Sequence, residues 1–175
     1  MTEPRNPPYG APIDRSIPDA LSGLFQEVIL DHYRRPRNKG ALEDPTHTIT
    51  MNNPLCGDVI ELSLTVRGDV IEKARFQGKG CSISLASVSM MTRKLEGTKV
   101  ADAQALSVKF TRLLHGEREL EGDKELGDLR ALSGVSKFPV RIKCALLGFN
   151  CLQELIGESG SSGDRAAGHE PGSTR

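Results

Sequence analysis

The stretch Asn53-Pro54-Leu55-Cys56-Gly57-Asp58 places a thiol and a carboxylate two residues apart on a Pro/Gly turn that leads into a strand pattern. Two more cysteines stand at comparable junctions. Cys81 follows Gly78-Lys79-Gly80 at a strand-to-helix turn, and Cys144 lies in the first turns of a helix pattern that opens at Pro139. Three thiolates and one carboxylate are the four ligands a tetrahedral zinc ion takes. A fold that unites Cys56, Asp58, Cys81 and Cys144 must bring a β-region loop and two helix starts to one point. Spacing alone leaves this open, because no C-x-x-C pair is present and a buried cysteine can pack as a small hydrophobe.

Three details favour a shared ion. Each cysteine sits at a turn or a helix start. Gly57, between Cys56 and Asp58, lets the backbone aim both side chains the same way. Asp58 beside an apolar strand is costly to leave unpaired, and a cation would satisfy it. Apart from these three, Cys81 at a helix N-terminus meets partial positive charge, which favours thiolate. The fourth cysteine, Cys151, is seven residues past Cys144 and so about 10 Å further along the same helix face. It reads as core packing.

With 175 residues, the chain suits one domain with flexible ends. Acidic and basic residues balance at 23 each, which argues against a nucleic-acid surface or a disordered polyanion. No stretch approaches a membrane span, and Met1–Ser16 lacks the apolar run of a signal peptide. A cytoplasmic location is expected. In that reducing compartment four cysteines read as metal-binding or catalytic before disulfide-forming.

Taken in order, residues 1–18 are proline-rich and predict a disordered arm, 19–157 a single folded domain, and 158–175 a disordered Gly/Ser-rich tail. A first helix is expected over Asp19–Arg34, with Leu21, Leu24, Phe25, Val28, Ile29 and His32 on its apolar stripe and Pro36 ending it. His32 reads as a half-buried histidine with one hydrogen bond. Arg34, Arg35, Arg37 and Lys39 read as solvated surface, with partner docking as the alternative. Thr46–Asn52, Asp58–Val66 and Val70–Gln77 alternate at period two and predict a three-stranded antiparallel sheet. Ile60, Leu62, Leu64 and Val66 share one face, as do Val70, Ala74 and Phe76. Helices follow over Ser82–Leu95, with Ser82 as N-cap, and over Val100–Leu114, closed by His115. One short helix around Asp128–Leu132 and a last helix over Pro139–Ile156, capped by Gly157, complete an α+β domain.

Three motifs then carry a resemblance: Asn53–Asp58, Gly78-Lys79-Gly80-Cys81-Ser82-Ile83-Ser84-Leu85-Ala86-Ser87, and Pro139-Val140-Arg141-Ile142-Lys143-Cys144-Ala145. Together with Leu30–Asn38 they resemble the IscU/NifU-type iron–sulfur assembly family, over about Leu21 to Leu155. The resemblance implies a three-stranded antiparallel sheet with helices packed on one side. Scaffold-type members carry His before the third cysteine, where this chain has Lys143, and a shorter stretch between the second and third cysteines. Lysine is a poor ligand because its amine is protonated at neutral pH. Lys143 and the longer Leu114–Ser136 segment look like the SufU branch. Phe138-Pro139 replaces the two prolines that a dedicated chaperone recognises in scaffold members.

The resemblance to that branch implies a zinc-dependent sulfurtransferase. Cys56 would accept persulfide sulfur from a PLP-dependent, SufS-type cysteine desulfurase and pass it towards a downstream iron–sulfur assembly scaffold. Zn2+ would be held by Cys56, Asp58, Cys81 and Cys144. Arg141 either orients the partner or is a solvated residue at a helix start. The alternatives are a scaffold that assembles a [2Fe–2S] cluster on the same cysteines and a structural zinc module for protein docking. No nucleic acid and no membrane partner is expected.

Overall fold

The computed structural model describes residues 19–158. The arm expected over 1–18 and the tail beyond Glu158 lie outside the described residues, as does the Leu21 side chain. Strands β1 (His47–Asn53), β2 (Asp58–Arg67) and β3 (Val70–Lys79) form the expected antiparallel meander. A fourth strand, β4 (Thr98–Lys99), adds two residues beside Val70 and Ile71, so the sheet order is β1-β2-β3-β4. The expected three strands therefore become four. β4 is too short to leave a period-two signal, and its pairing comes from the chain turning back after α2.

Helices α1 (Asp19–Arg34), α2 (Ser82–Leu95), α3 (Val100–Leu114) and α4 (Pro139–Glu158) complete the α+β fold. Ile60, Leu62 and Leu64 of β2 alternate into the core as expected. On β3 the inward residues are Ile71, Ala74 and Phe76, and Val70 is only half-buried. Thr65 pairs with Lys73 and Val66 with Ile71, so Glu72 is an extra, unpaired residue. Such a bulge shifts the alternation by one residue, which displaces Val70 from the expected inner face. In β1, Ile49 and Met51 lie against the core while Thr48 and Thr50 are exposed.

α2 is the central helix. Residues Ser84 to Thr92 are buried on every side, between α1, α4, β3 and the segment before α4. α4 crosses it closely at Gly148, where a Cβ would lie 2.9 Å from Val88 Cγ2. Phe110 of α3 stacks on Phe149 of α4 with ring centroids 4.5 Å apart. α4 runs through Gly157 to Glu158, so Gly157 does not cap it.

On α1, Val28, Ile29 and His32 meet the core, but Leu24 is exposed. His32 is buried rather than half-buried and makes two hydrogen bonds. Its Nδ1 lies 2.8 Å from Ser89 Oγ, and its Nε2 lies 3.1 Å from Asp128 Oδ2. The basic run after α1 is partly tied down: the Arg37 amide donates to Ser89 Oγ, its guanidinium pairs with Asp31, and Asn38–Gly40 hydrogen-bonds to Phe76 of β3. The segment expected to hold one short helix forms two 3₁₀ stretches, Arg118–Gly122 and Lys124–Lys137, the second broken at Gly127 (φ 54°, ψ −128°). A 3₁₀ stretch leaves no 3.6-residue periodicity to read.

Candidate metal centre

β1 ends and β2 begins with the ladder pair Asn53–Asp58, so Pro54–Gly57 is a four-residue hairpin loop. Gly57 takes φ 71°, left-handed backbone that a side chain disfavours. Asn53 orders the loop. Its carbonyl accepts from the amides of Gly57 (2.8 Å) and Cys56 (3.3 Å), and its Oδ1 accepts from the Leu55 amide at 3.1 Å. This is an Asx turn. Cys56 is exposed at the loop's crest, next to Leu55.

Because β2 and β3 are antiparallel, the first residues of β2 lie beside the last of β3; Val59 pairs with Lys79. Asp58 thus meets the β3–α2 turn. Its Oδ1 accepts from the Cys81 amide at 3.0 Å, and its Oδ2 accepts from the Cys81 thiol at 3.4 Å. Gly80 leaves the room for this carboxylate: a Cβ there would lie 2.9 Å from Asp58 Cγ. Cys81 itself, not Ser82, is the N-cap of α2, and its sulfur accepts from the Ser84 amide at 3.5 Å. A sulfur can take the capping role that the usual oxygen side chains fill, and this places it at the positive end of the helix.

α4 supplies Cys144 from its second turn. Its Sγ lies 3.2 Å from Cys56 Sγ and accepts from Asn53 Nδ2 at 3.9 Å. Cys144 and Asp58 are buried, at 1% and 2% exposure. Ligand atoms of Cys56, Asp58 and Cys144 fall within 4.8 Å of one another, and Cys81 joins them through Asp58. The fold therefore gathers Cys56, Asp58 and Cys144 into one group, with Cys81 beside it on Asp58 and outside that group. Cys151 is fully buried, with its thiol donating to the Ile60 carbonyl at 3.7 Å. Burial pushes that thiol up to about 11.

The donor set fits zinc. A tetrahedral ion with Zn–S about 2.3 Å and Zn–O about 2.0 Å has S···S edges of about 3.8 Å and S···O edges of about 3.5 Å. The observed 3.2 Å and 3.4 Å differ by little enough for side-chain adjustment. Electrostatics agree. Burial raises the Asp58 carboxyl, but hydrogen bonds from Cys56, the Cys81 amide and thiol, and Cys144 outweigh it, and the net shift is downward. Burial, the bond to Cys56 and nearby negative charge raise the Cys144 thiol. A buried carboxylate that accepts hydrogen bonds from neighbouring thiols is a site where a divalent cation can replace the protons.

Lys143 is exposed and Arg141 half-buried. Asn53 and Gly80 lie within the sequence motifs, but the motifs alone assign neither a role. The Asn-Pro turn signal could have suggested Asn53 as the loop's organiser; nothing local could have linked Gly80 to Asp58.

A cluster of cysteine sulfurs around a buried carboxylate on an α+β domain defines a candidate metal-binding protein. Its family follows from comparison: residues 24–145 match the NifU-like N terminal domain, and the chain belongs to that family. It is 48% identical over 136 residues to the zinc-dependent sulfurtransferase SufU of Bacillus subtilis, covering 78% of this chain and 91% of the relative. It is 43% identical over 142 residues to the iron-sulfur cluster assembly scaffold protein IscU of Streptococcus pyogenes, covering 81% and 88%. A crystal structure from Fervidobacterium islandicum AW-1, assigned to the SUF-system iron-sulfur cluster assembly scaffolds, superposes with a TM-score of 0.66 at 27% identity, covering 74% of this chain and 94% of that one. The chain is thus a member of the SufU/IscU-type iron–sulfur assembly group. Among the described residues no helix is long and apolar enough to cross a membrane.

Proposed function

We propose that this chain is a zinc-dependent sulfurtransferase: Cys56 accepts sulfane sulfur from the persulfide of a PLP-dependent, SufS-type cysteine desulfurase and passes it to a downstream iron–sulfur scaffold in the cytoplasm. The observation that carries the reading is the asymmetry of the cluster. Cys56 is exposed on a loop, while Asp58 and Cys144 are buried behind it. A closed structural site would have no reason to present one sulfur to solvent.

Cys56, Asp58, Cys81 and Cys144 would hold the zinc, which would keep thiols deprotonated near neutral pH. The chain's own residues do the rest. The Asn53 turn and Gly57 present the Cys56 sulfur at the loop crest. Its thiolate attacks the terminal sulfur of the donor persulfide, the donor S–S bond breaks, and the donor cysteine leaves as thiolate. Asp58 stays anchored on the Cys81 amide, so the site keeps its shape while Cys56 reacts.

A second reading has support from the relatives named as scaffolds: the same donors would carry a [2Fe–2S] cluster. Lys143 stands where scaffold-type members have a histidine, and it is exposed. To decide, zinc-loaded protein is mixed with desulfurase, L-cysteine and a reductant. The sulfurtransferase reading expects faster desulfurase turnover that Cys56→Ala abolishes. Zinc inhibition, with a coloured cluster from anaerobic iron and sulfide, would establish the scaffold instead.

A further inference from the structure

The Cys56 and Cys144 sulfurs stand 3.2 Å apart, and both cysteines are free. That is the separation of reacting atoms poised for attack, about 3–3.5 Å. The two sulfurs differ in access. Cys56 is open to a sulfur donor, while Cys144 is 1% exposed and beyond the reach of an external thiol. Asn53 Nδ2 donates to the Cys144 sulfur, and the Asn53 backbone and Oδ1 hold the Cys56 loop, so one residue fixes both reactants. Cys81 has its thiol on Asp58 and Cys151 on the Ile60 carbonyl, while the Cys144 thiol donates to the Val140 carbonyl at 3.6 Å and still lies against Cys56.

We propose that Cys144 resolves a persulfide carried by Cys56. The Cys144 sulfur attacks the inner sulfur, the bond to the outer sulfur breaks, and a Cys56–Cys144 disulfide forms as hydrosulfide leaves. This rests on Cys56 acting as sulfur acceptor. The electrons balance: the outer sulfur gains two as it becomes sulfide, and the two cysteine sulfurs lose two as they join. In the metal-free chain the Cys144 thiol proton departs on the hydrosulfide, so no outside acid or base is consumed. The chain then delivers sulfide, the form in which iron–sulfur clusters contain sulfur. An external dithiol must reduce the disulfide before the next cycle. Attack from the buried side leaves the exposed side of Cys56 free for its donor.

The test loads the full chain anaerobically with inorganic polysulfide, both as purified and after chelation, removes excess polysulfide and the sulfide left by loading through rapid desalting, and needs no desulfurase. Alkylation-trapped intact mass and peptide mapping follow Cys56, and a colorimetric assay follows sulfide. The expected course is a Cys56 persulfide that decays to a Cys56–Cys144 disulfide, with about one sulfide released per chain as exchange proceeds. Cys144→Ser should halt at the persulfide and release none, while Cys151→Ser should behave as wild type. The order of appearance in wild type stands even if Cys144→Ser folds poorly. The inference is overturned if the wild-type persulfide persists unchanged in both preparations, or if the disulfide forms without a preceding persulfide. If polysulfide drives the sequence but a desulfurase never charges Cys56, the inference stands and the sulfurtransferase reading fails.

Discussion

Gly80→Ala should weaken zinc binding while leaving the fold nearly intact. Gly80 has no left-handed backbone requirement, so alanine is accommodated locally. Its methyl group would lie 2.9 Å from Asp58 Cγ and 3.0 Å from Oδ1. Ordinary contact needs about half an ångström more, since a Cβ normally meets its neighbours at 3.4 Å or beyond. The carboxylate must give way, and its 3.0 Å bond from the Cys81 amide lengthens towards the limit of a hydrogen bond. A hydrogen bond to a charged group contributes about 1.5–3 kcal/mol. Loss of a group that orients a metal ligand weakens metal affinity by about 10–100-fold. The metal-free fold should lose about 0.5–2.6 kcal/mol, because Gly→Ala also restricts the unfolded chain by about 0.4–1 kcal/mol.

Gly78→Ala is the contrast. Gly78 takes φ 138°, and a Cβ there would lie 2.0 Å from the Val59 carbonyl oxygen. That substitution should break the β2–β3 ladder and cost about 3 kcal/mol or more. Zinc affinity is read by competition with a chromophoric chelator, and stability by denaturant unfolding in excess chelator. If Gly80→Ala bound zinc within about twofold of wild type, against the 10–100-fold expected, the role given to Asp58 would be wrong. If it unfolded like Gly78→Ala, the steric reasoning would be.

Three further predictions follow from other parts of the fold. Cys151→Ser should retain its zinc, measured by elemental analysis, yet lose about 1–2 kcal/mol because a more polar group is buried against Ile60; loss of metal as complete as in Cys144→Ser would break the ligand assignment. Burial holds the His32 imidazole below its ordinary value, against the pull of Asp128. The unfolded chain therefore binds more protons just below about pH 6.5, and the melting temperature of the metal-free protein should fall as pH drops from there towards about 5 and be flat above about 7. His32→Asn should flatten that slope, and an unchanged slope would remove His32 as its source. Gly148→Ala should cost about 1–3 kcal/mol by overpacking against Val88, where α2 and α4 cross; a variant as stable as wild type in urea would show that the crossing can open.

Local signals were readable wherever the chain's own chemistry sets the structure. α2 and α3 run over the residues their periodicity and flanking turns predict, and the β1–β2–β3 meander follows its alternation. Misreadings arose where distant contacts decide. The Glu72 bulge moves Ile71 into the core in place of Val70, and β4 exists only because β3 offers an edge. His32 gains its second bond from Asp128, 96 residues away. Residue type and turn position suggested the cluster, while spacing alone left it open because a buried cysteine also packs as a small hydrophobe. What surrounds it was not: Asn53 reaches Cys144 and Gly80 yields to Asp58 only once four elements have packed.

The central claim is that Cys56 accepts sulfur, and the most direct measurement locates that sulfur. Zinc-loaded protein is given a SufS-type desulfurase and L-cysteine without reductant, quenched quickly with an alkylating agent, and mapped by mass spectrometry. One added sulfur on Cys56, and none on Cys151, is the expected result. A Cys56 that remains a plain thiol while the desulfurase stays fully persulfidated would contradict the claim.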